Sequence, residues 1–130
     1  LPVRAARARA AIAMASAPQL HGRQFDLTLV DAPCSGSGTW RRAPEAKWLL
    51  DPPRLQELTA LQSRILSEVV KFVPQGGYLA YMTCSVLDEE NTAQIECFTA
   101  HHSGFRLCLS RRFLPSSAGD GFFLALFQRD

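Results

Sequence analysis

Two short apolar runs of this chain both end at the dipeptide Cys-Ser. The first run begins at Phe25 and reaches Cys34, and the second lies in residues 78–85 and contains Cys84. Each run is short and bounded by turn residues, which is typical of a buried strand. If the strands are parallel neighbours, both thiols emerge at the carboxyl-end edge of the sheet, where ligands bind in open α/β folds. The sequence therefore predicts one shared site for the two cysteines.

The rest of the chain alternates between helical and strand patterns. Apolar side chains recur at steps of three or four over residues 53–73, and Asp51 is placed to cap this helix. Further helices are predicted over residues 3–16 and 89–101, the latter capped by Asp88. The predicted strands are residues 25–30, 78–83, 105–109 and 122–127, with a long loop over 31–53 that includes a short helical turn at 45–49. This order predicts an α/β fold, with a mostly parallel sheet flanked by helices and one antiparallel strand near the end.

Composition and spacing narrow the function classes. The 130 residues suffice for one domain with a core. No apolar stretch approaches the length of a membrane span, and the four cysteines show neither a C-x-x-C pair nor metal-ligand spacing. Reduced thiols indicate a cytoplasmic protein without a metal site. We interpret Cys97 and Cys108 as small buried hydrophobic residues. Residues 1–24 hold four arginines and no acid, which suits either a phosphate-bearing partner or a solvated helix face.

Three linked motifs resemble those of the RNA cytosine-C5 methyltransferases, which include the bacterial Sun-type ribosomal RNA enzymes. Asp31–Thr39, followed by Lys47-Trp48, resembles their fourth motif. Thr83–Ser85 with Glu89–Asn91 resembles the sixth motif, and Asp120–Ala125 resembles the closing strand. The likeness covers residues 23–130. It implies a partial Rossmann-like methyltransferase sheet, S-adenosylmethionine as cofactor, and methylation of cytosine carbon 5 in RNA, with ribosomal RNA as the expected substrate.

The chemistry of this reaction needs a nucleophile, because carbon 5 of cytosine is itself a poor one. A thiolate that attacks carbon 6 makes carbon 5 enamine-like and able to accept a methyl group. By resemblance, Cys84 is the attacking residue and Cys34 assists release of the adduct. The resemblance also places Asp31 between cofactor and base, and Pro33 in the turn that presents Cys34. The target base must leave its stack to enter such a pocket.

Other residues carry weaker expectations. Lys47 with Trp48 could contact RNA or pack a loop, and Arg41 and Arg42 could contact phosphate or remain solvated. The Glu89-Glu90 pair is interpreted as a charge effect in the first turn of a helix. A disulfide between Cys34 and Cys84 is geometrically conceivable and would be an oxidation artefact.

The chain departs from the family pattern because it has no glycine-rich G-x-G-x-x-G turn and no acid placed for the ribose hydroxyls. We therefore expect residues 1–130 to be the C-terminal portion of a catalytic domain, inactive alone and weak in cofactor binding. The strand at 25–30 would then be an exposed edge, through which the chain could associate with itself.

Two alternatives remain open from the sequence. One is a non-catalytic RNA-binding module with the same fold, whose binding would depend strongly on salt. The other is a thiol-redox protein that uses Cys34 and Cys84, against which stands the lack of a C-x-x-C motif.

Overall fold

A four-stranded sheet organises the computed structural model, which describes residues 18–130. The spatial order of the strands is β1-β2-β4-β3. β1 and β2 are parallel, and β4 is antiparallel to both of its neighbours, so β1, β2 and β3 share one direction. Their bounds are Leu27–Asp31 for β1, Tyr78–Thr83 for β2, Phe105–Phe113 for β3 and Phe122–Arg129 for β4. The predicted α/β class and the antiparallel final strand are confirmed. The helix predicted over residues 3–16 lies outside the described residues.

Two helices cover one face of this sheet. α1 spans Pro52–Val69 and continues as a 3-10 turn to Phe72, and α2 spans Thr92–His101. The predicted cap of α1 is confirmed, because the Asp51 carboxylate accepts a hydrogen bond from the Arg54 amide at 2.9 Å. Among residues 18–130, no helix has both the length and the apolar character needed to cross a membrane. Their buried side chains form one core with the inward-facing strand residues, which include Val30, Leu79, Tyr81, Ala125 and Phe127.

The opposite face of the sheet stays largely open in the described part of the chain. β1 lies at the edge of the sheet formed by residues 18–130, and its Leu27 and Leu29 are each 57% exposed. Tyr78 lies across from Leu27 in the register, and Leu109 and Phe122 extend the same apolar face over β3 and β4. Exposed apolar surface of this extent is typical of a face that another structure covers.

Several predicted boundaries are wrong by a few residues. β1 starts two residues later than expected, because the Phe25 amide bonds to the carbonyl of Phe72 rather than to β2. β3 continues to Phe113, well past residue 109, because it pairs with β4 as far as Phe122. The polar run at residues 110–112 hides this extension from a hydrophobic pattern.

The start of α2 also differs from the prediction. Asp88 does not cap the helix; residues Asp88–Glu90 form a separate 3-10 turn, and α2 begins at Thr92. The Asp88 carboxylate instead pairs with the guanidinium of Arg112 on β3. The sequence does not distinguish these two roles, because an acidic residue ahead of an apolar run looks the same whether it caps a helix or pairs with a distant arginine.

The interpretation of Cys97 and Cys108 as buried residues is wrong, since both are exposed. Cys97 lies on the outer side of α2, whose inward side is formed by Ile95 and Phe98. Cys108 is the residue skipped between Leu107 and Leu109 where the β3 register shifts, so it sits in a bulge on an edge strand.

Candidate active site

The thiols of Cys34 and Cys84 lie together at the carboxyl-end edge of the parallel pair. β1 and β2 run side by side and end at Asp31 and Thr83, and the Ala32 amide still bonds to β2. Each cysteine follows the end of its strand, and the two sulfur atoms are 3.4 Å apart across fifty positions of sequence. The structure therefore brings together the two residues that the strand pattern paired. Both thiols are free and partly buried.

The environment of Cys34 disfavours its charged form. Burial raises the pKa of Cys34 to about 12; the Gly36 amide opposes this rise, the side-chain hydrogen bond and charge of Cys84 add to it, and the Cys84 backbone slightly reduces it. Cys34 is consequently a protonated thiol at neutral pH. It can therefore donate its S–H toward the Cys84 sulfur.

The segment around Cys34 is held by a buried carboxylate, that of Glu90. Its side chain is fully buried and accepts hydrogen bonds from the Ser35 amide at 2.7 Å and the Ser35 hydroxyl at 2.6 Å. Gln62 on α1 donates to the same carboxylate at 3.2 Å and to the Pro33 carbonyl at 2.8 Å. Hydrogen bonds to Gln62 and Glu90 thus fix the residues on both sides of Cys34, Pro33 and Ser35.

The next residue, Asn91, holds the segment around Cys84 in the same manner. Its side-chain amide donates to the Ser85 carbonyl at 2.9 Å, and its oxygen accepts from the Thr83 hydroxyl at 2.6 Å. Asn91, Thr83 and Ser85 are all buried. The strand end that presents Cys84 is therefore fixed by a satisfied polar network rather than by apolar packing alone.

A further hydroxyl pair joins the two cysteine loops. The hydroxyls of Ser37 and Ser85 are 3.0 Å apart, and the Val86 amide donates to the Ser37 hydroxyl at 2.9 Å. The loop after β1 and the loop after β2 hence form one unit beneath the thiols.

Arg41 and Arg42 both pair with Asp120. The Arg41 Nε lies 2.9 Å and the Arg42 Nε 2.7 Å from the carboxylate. Partial burial alone would raise the pKa of Asp120, but hydrogen bonds and charges of the two guanidinium groups hold it below its usual range. Arg41 also donates to the Ser116 carbonyl. These arginines therefore tie the loop after β1 to the segment before β4, and each keeps an exposed part of its guanidinium.

The remaining predicted residues lie at the surface. Asp31 and Pro33 are exposed at the end of β1 and just beyond it. Lys47 and Trp48 lie in the 3-10 turn Pro44–Leu49, close to the predicted helical turn. The Lys47 Nζ is 4.9 Å from the centre of the Trp48 ring, and Trp48 is 79% exposed.

Glu90 is the site residue whose role the sequence interpretation missed. The sequence predicts a charge effect in the first turn of a helix, yet Glu90 is buried and bonded to a residue fifty-five positions away. The available signal was its place beside Asn91 in the motif that also contains Cys84. Among residues 18–130, no group of three His, Cys, Asp or Glu side chains is arranged to hold a metal ion.

The described sheet carries helices on one face, and its last strand is antiparallel to its neighbours. This is the fold of the S-adenosylmethionine-dependent methyltransferases. The chain belongs to the family described as 16S rRNA methyltransferase RsmB/F, whose model matches residues 5–128.

Known proteins support this membership. Ribosomal RNA small subunit methyltransferase B from Photorhabdus laumondii is 41% identical over 111 residues, which are 79% of this chain and 26% of that protein. The chain thus spans about a quarter of that relative. The crystal structure of PH0851 is 34% identical, covers 88% of this chain and 29% of that chain, and has a TM-score of 0.81. NSun6 from Pyrococcus horikoshii, solved with SFG, is 23% identical, covers 91% of this chain and 33% of that chain, and shares the fold with a TM-score of 0.74.

The cofactor of this family is S-adenosylmethionine, and the described residues fit it in part. Asp31 offers an exposed carboxylate at the carboxyl end of a parallel strand, where it suits a hydroxyl or ammonium group. The sequence contains no glycine-rich turn of the dinucleotide-binding type.

Proposed function

We propose that this chain carries the catalytic cysteines of an enzyme that methylates carbon 5 of cytosine in ribosomal RNA through a covalent adduct. The observation that carries the proposal is the 3.4 Å separation of Cys34 and Cys84 at the carboxyl-end edge. A single nucleobase edge could meet both sulfur atoms there. Membership in a ribosomal RNA methyltransferase family supports the substrate class.

In the proposed reaction, the Cys84 thiolate adds to carbon 6 of the cytosine and makes carbon 5 nucleophilic. S-adenosylmethionine, when bound, supplies an electrophilic methyl group to carbon 5. The carbon 5 proton must then leave, so that the double bond re-forms and expels Cys84 as a thiolate. We assign the assistance of this last step to Cys34.

The environment of Cys34 suits a residue that acts late. Two of the causes that raise its pKa are the hydrogen bond to Cys84 and the charge of Cys84. The charge is lost and the hydrogen bond weakens when the Cys84 sulfur is bonded to carbon 6, because that sulfur is then neutral. Adduct formation therefore lowers the pKa of Cys34, although burial continues to raise it, and eases the loss of the Cys34 proton to solvent; the resulting thiolate then takes the proton from carbon 5 as Cys84 departs.

We further propose contacts for the residues around the thiols. Asp31 would contact the cofactor, the base or both, and Pro33 would shape the turn that presents Cys34. Lys47, Arg41 and Arg42 would contact the RNA backbone, because each keeps exposed positive charge near the loop after β1. The exposed ring of Trp48 could stack on an unpaired base.

The domain assignment is also a proposal. We infer that residues 1–130 form the C-terminal portion of a methyltransferase domain, inactive in isolation, in a cytoplasmic protein. Among residues 18–130, the open apolar face and the edge position of β1 support this inference, because in a larger domain further strands would pair the edge and further packed elements would cover the face. In the isolated chain, the same edge would promote self-association.

The test is covalent capture of RNA by the full-length gene product. An RNA that contains 5-fluorocytosine traps the adduct, since fluorine replaces the proton that must leave. We expect Cys84→Ala to abolish capture. With ordinary RNA and cofactor, Cys34→Ala should accumulate a stalled adduct, because attack survives while release fails. Capture that persists in Cys84→Ala and is lost in Cys34→Ala would reverse the two roles, and capture unaffected by either change would overturn the mechanism.

A further inference from the structure

Two consecutive residues of the chain each hold one of the two cysteine segments. We propose that Glu90 and Asn91 are positioning residues that together set the separation of the two thiols, with Glu90 acting on Cys34 and Asn91 acting on Cys84. Their effect on catalysis rests on the proposed function. Their effect on the distance between the thiols does not.

The contacts of Glu90 reach the Cys34 segment from both sides. Its carboxylate receives the amide and hydroxyl of Ser35, the residue after Cys34. Gln62 joins the same carboxylate to the carbonyl of Pro33, the residue before Cys34. Hydrogen bonds to a charged acceptor are among the stronger ones in proteins, and burial strengthens them further. The residues on either side of Cys34 are therefore held by Glu90 together with its partner Gln62.

Asn91 makes the corresponding hydrogen bonds around Cys84. Its side chain bonds to Thr83 and Ser85, the residues directly before and after Cys84. The backbone between the two side chains is itself fixed to the sheet, because the Tyr81 hydroxyl donates to the Glu90 carbonyl at 2.7 Å. Since Glu90 and Asn91 are adjacent and anchored to β2, the two cysteine segments share one short rigid support.

This arrangement predicts that substitutions of Glu90 and Asn91, although adjacent in sequence, impair different steps of the reaction. Loss of the Glu90 side chain frees the Cys34 segment and leaves Cys84 in place, so the release step suffers. Loss of the Asn91 side chain frees the Cys84 segment, so the attack suffers. A purely structural role would weaken both steps together through partial unfolding.

The first experiment measures how readily the two thiols meet in the full chain, without reference to catalysis. With Cys97 and Cys108 replaced by serine, the chain is equilibrated with oxidised and reduced glutathione. Two protein S–H bonds and one glutathione disulfide are exchanged for one protein disulfide and two glutathione thiols. The equilibrium constant gives the effective concentration of Cys34 at Cys84.

We expect Glu90→Ala to lower this effective concentration about tenfold, the scale of one strong buried hydrogen bond. Glu90→Gln, which keeps the shape and most of the contacts, should restore much of it. Glu89→Ala is the matched control, because Glu89 is an exposed acid in the same 3-10 turn. If Glu90→Ala does not fold, Ser35→Ala removes one of the same bonds from the opposite side. An unchanged value in the folded variants would overturn the proposal.

The second experiment follows the RNA adduct in the full-length gene product. Glu90→Ala should accumulate adduct as Cys34→Ala does, whereas Asn91→Ala should reduce adduct formation as Cys84→Ala does. If Cys34→Ala accumulates adduct and Glu90→Ala does not, the positioning role fails while the mechanism stands. If neither cysteine variant alters adduct, the mechanism fails, and the glutathione equilibrium still decides whether Glu90 sets the thiol separation.

Discussion

The amide of Gly38 donates a hydrogen bond to the carbonyl oxygen of Cys84 at 2.9 Å. On its other side, the Gly38 carbonyl accepts from the Gly121 amide at 2.8 Å. The loop after β1 is thereby clamped between the end of β2 and the start of β4. A side-chain carbon on Gly38 would lie 2.8 Å from the Cys84 oxygen and would also strike the Gly121 carbonyl. Only glycine allows this close crossing of three backbones.

Gly38→Ala should therefore lower the free energy of unfolding by about 2–3 kcal/mol, because rigid backbone atoms must move to admit the methyl group. Urea denaturation followed by circular dichroism measures this change. Gly104→Ala is the control, since an added carbon there meets no atom within 4 Å. Equal stability of the two variants would mean that the crossing is loose.

Iodoacetamide should modify the four cysteines in a defined order at pH 8. Cys97 and Cys108 are exposed and should react first. Cys34 should react last, because its raised pKa leaves very little thiolate at this pH. Mass spectrometry of the labelled peptides over time gives the individual rates. Fast labelling of Cys34 relative to Cys97 would contradict the assigned environment.

The same raised pKa makes stability fall at alkaline pH. The pKa of the thiol is 9.0 in the unfolded chain, whereas its pKa in the folded chain is about 12. The contribution of Cys34 is therefore fully present below pH 9 and is lost as the pH rises toward 12. Burial raises the pKa of Tyr81 as well, which adds to the loss. Cys34→Ala should show a shallower decline between pH 9 and 11 in urea titrations.

Asp120→Asn should lower the melting temperature, because it weakens both contacts that tie Arg41 and Arg42 to the segment before β4. The folded pKa of Asp120 is lowered, so its contribution is present above pH 3.8 and is lost as the pH falls through the lower folded value. Asp130→Asn is the control, since Asp130 pairs with Arg106 at 4.0 Å on an exposed surface. Differential scanning calorimetry should show that the melting temperature of Asp120→Asn lies well below that of the unchanged chain at pH 7 and closer to it at pH 3. Asp130→Asn should differ little from the unchanged chain at either pH.

Leu29→Lys should shift the isolated chain toward monomer in sedimentation equilibrium. Leu29 is 57% exposed on the edge strand, and charge at such an edge opposes pairing with a second strand. Leu49→Lys provides a matched control, because Leu49 is 78% exposed but lies in the 3-10 turn away from the sheet. A chain that is monomeric before either change would remove the basis for self-association.

The sequence predicted those features that local pattern encodes. The helix α1 and the cap at Asp51 depend on residues within a few positions of one another, and both are confirmed, although the buried side of the helix contains Gln62 and Leu66 while Leu61 and Ile65 are only partly buried. The meeting of Cys34 and Cys84 was predictable because parallel strands bring their carboxyl ends to one edge. Each of these inferences needs only the chain direction and the period of the pattern.

Features that depend on distant partners were missed. Glu90 has the composition signal of an exposed helix start, and only the Ser35 and Gln62 donors, which come from other elements, make it a buried acceptor. Cys108 is exposed with every other residue of β3 after Phe105, because this strand lies at the edge of the described sheet, a position that no local pattern marks. The charge of Arg41 gives no indication that Asp120 will bind it across the fold.

The central position of β4 has a consequence for how the protein is made. β2 and β3 do not touch each other in the sheet, because β4 lies between them. The ribosome produces both of these strands before it produces residues 122–129. During synthesis β2 and β3 each keep an unpaired hydrogen-bonding side until β4 is made. A transcript cut short before the codon for Phe122 would leave two strands that a chaperone or a protease can recognise.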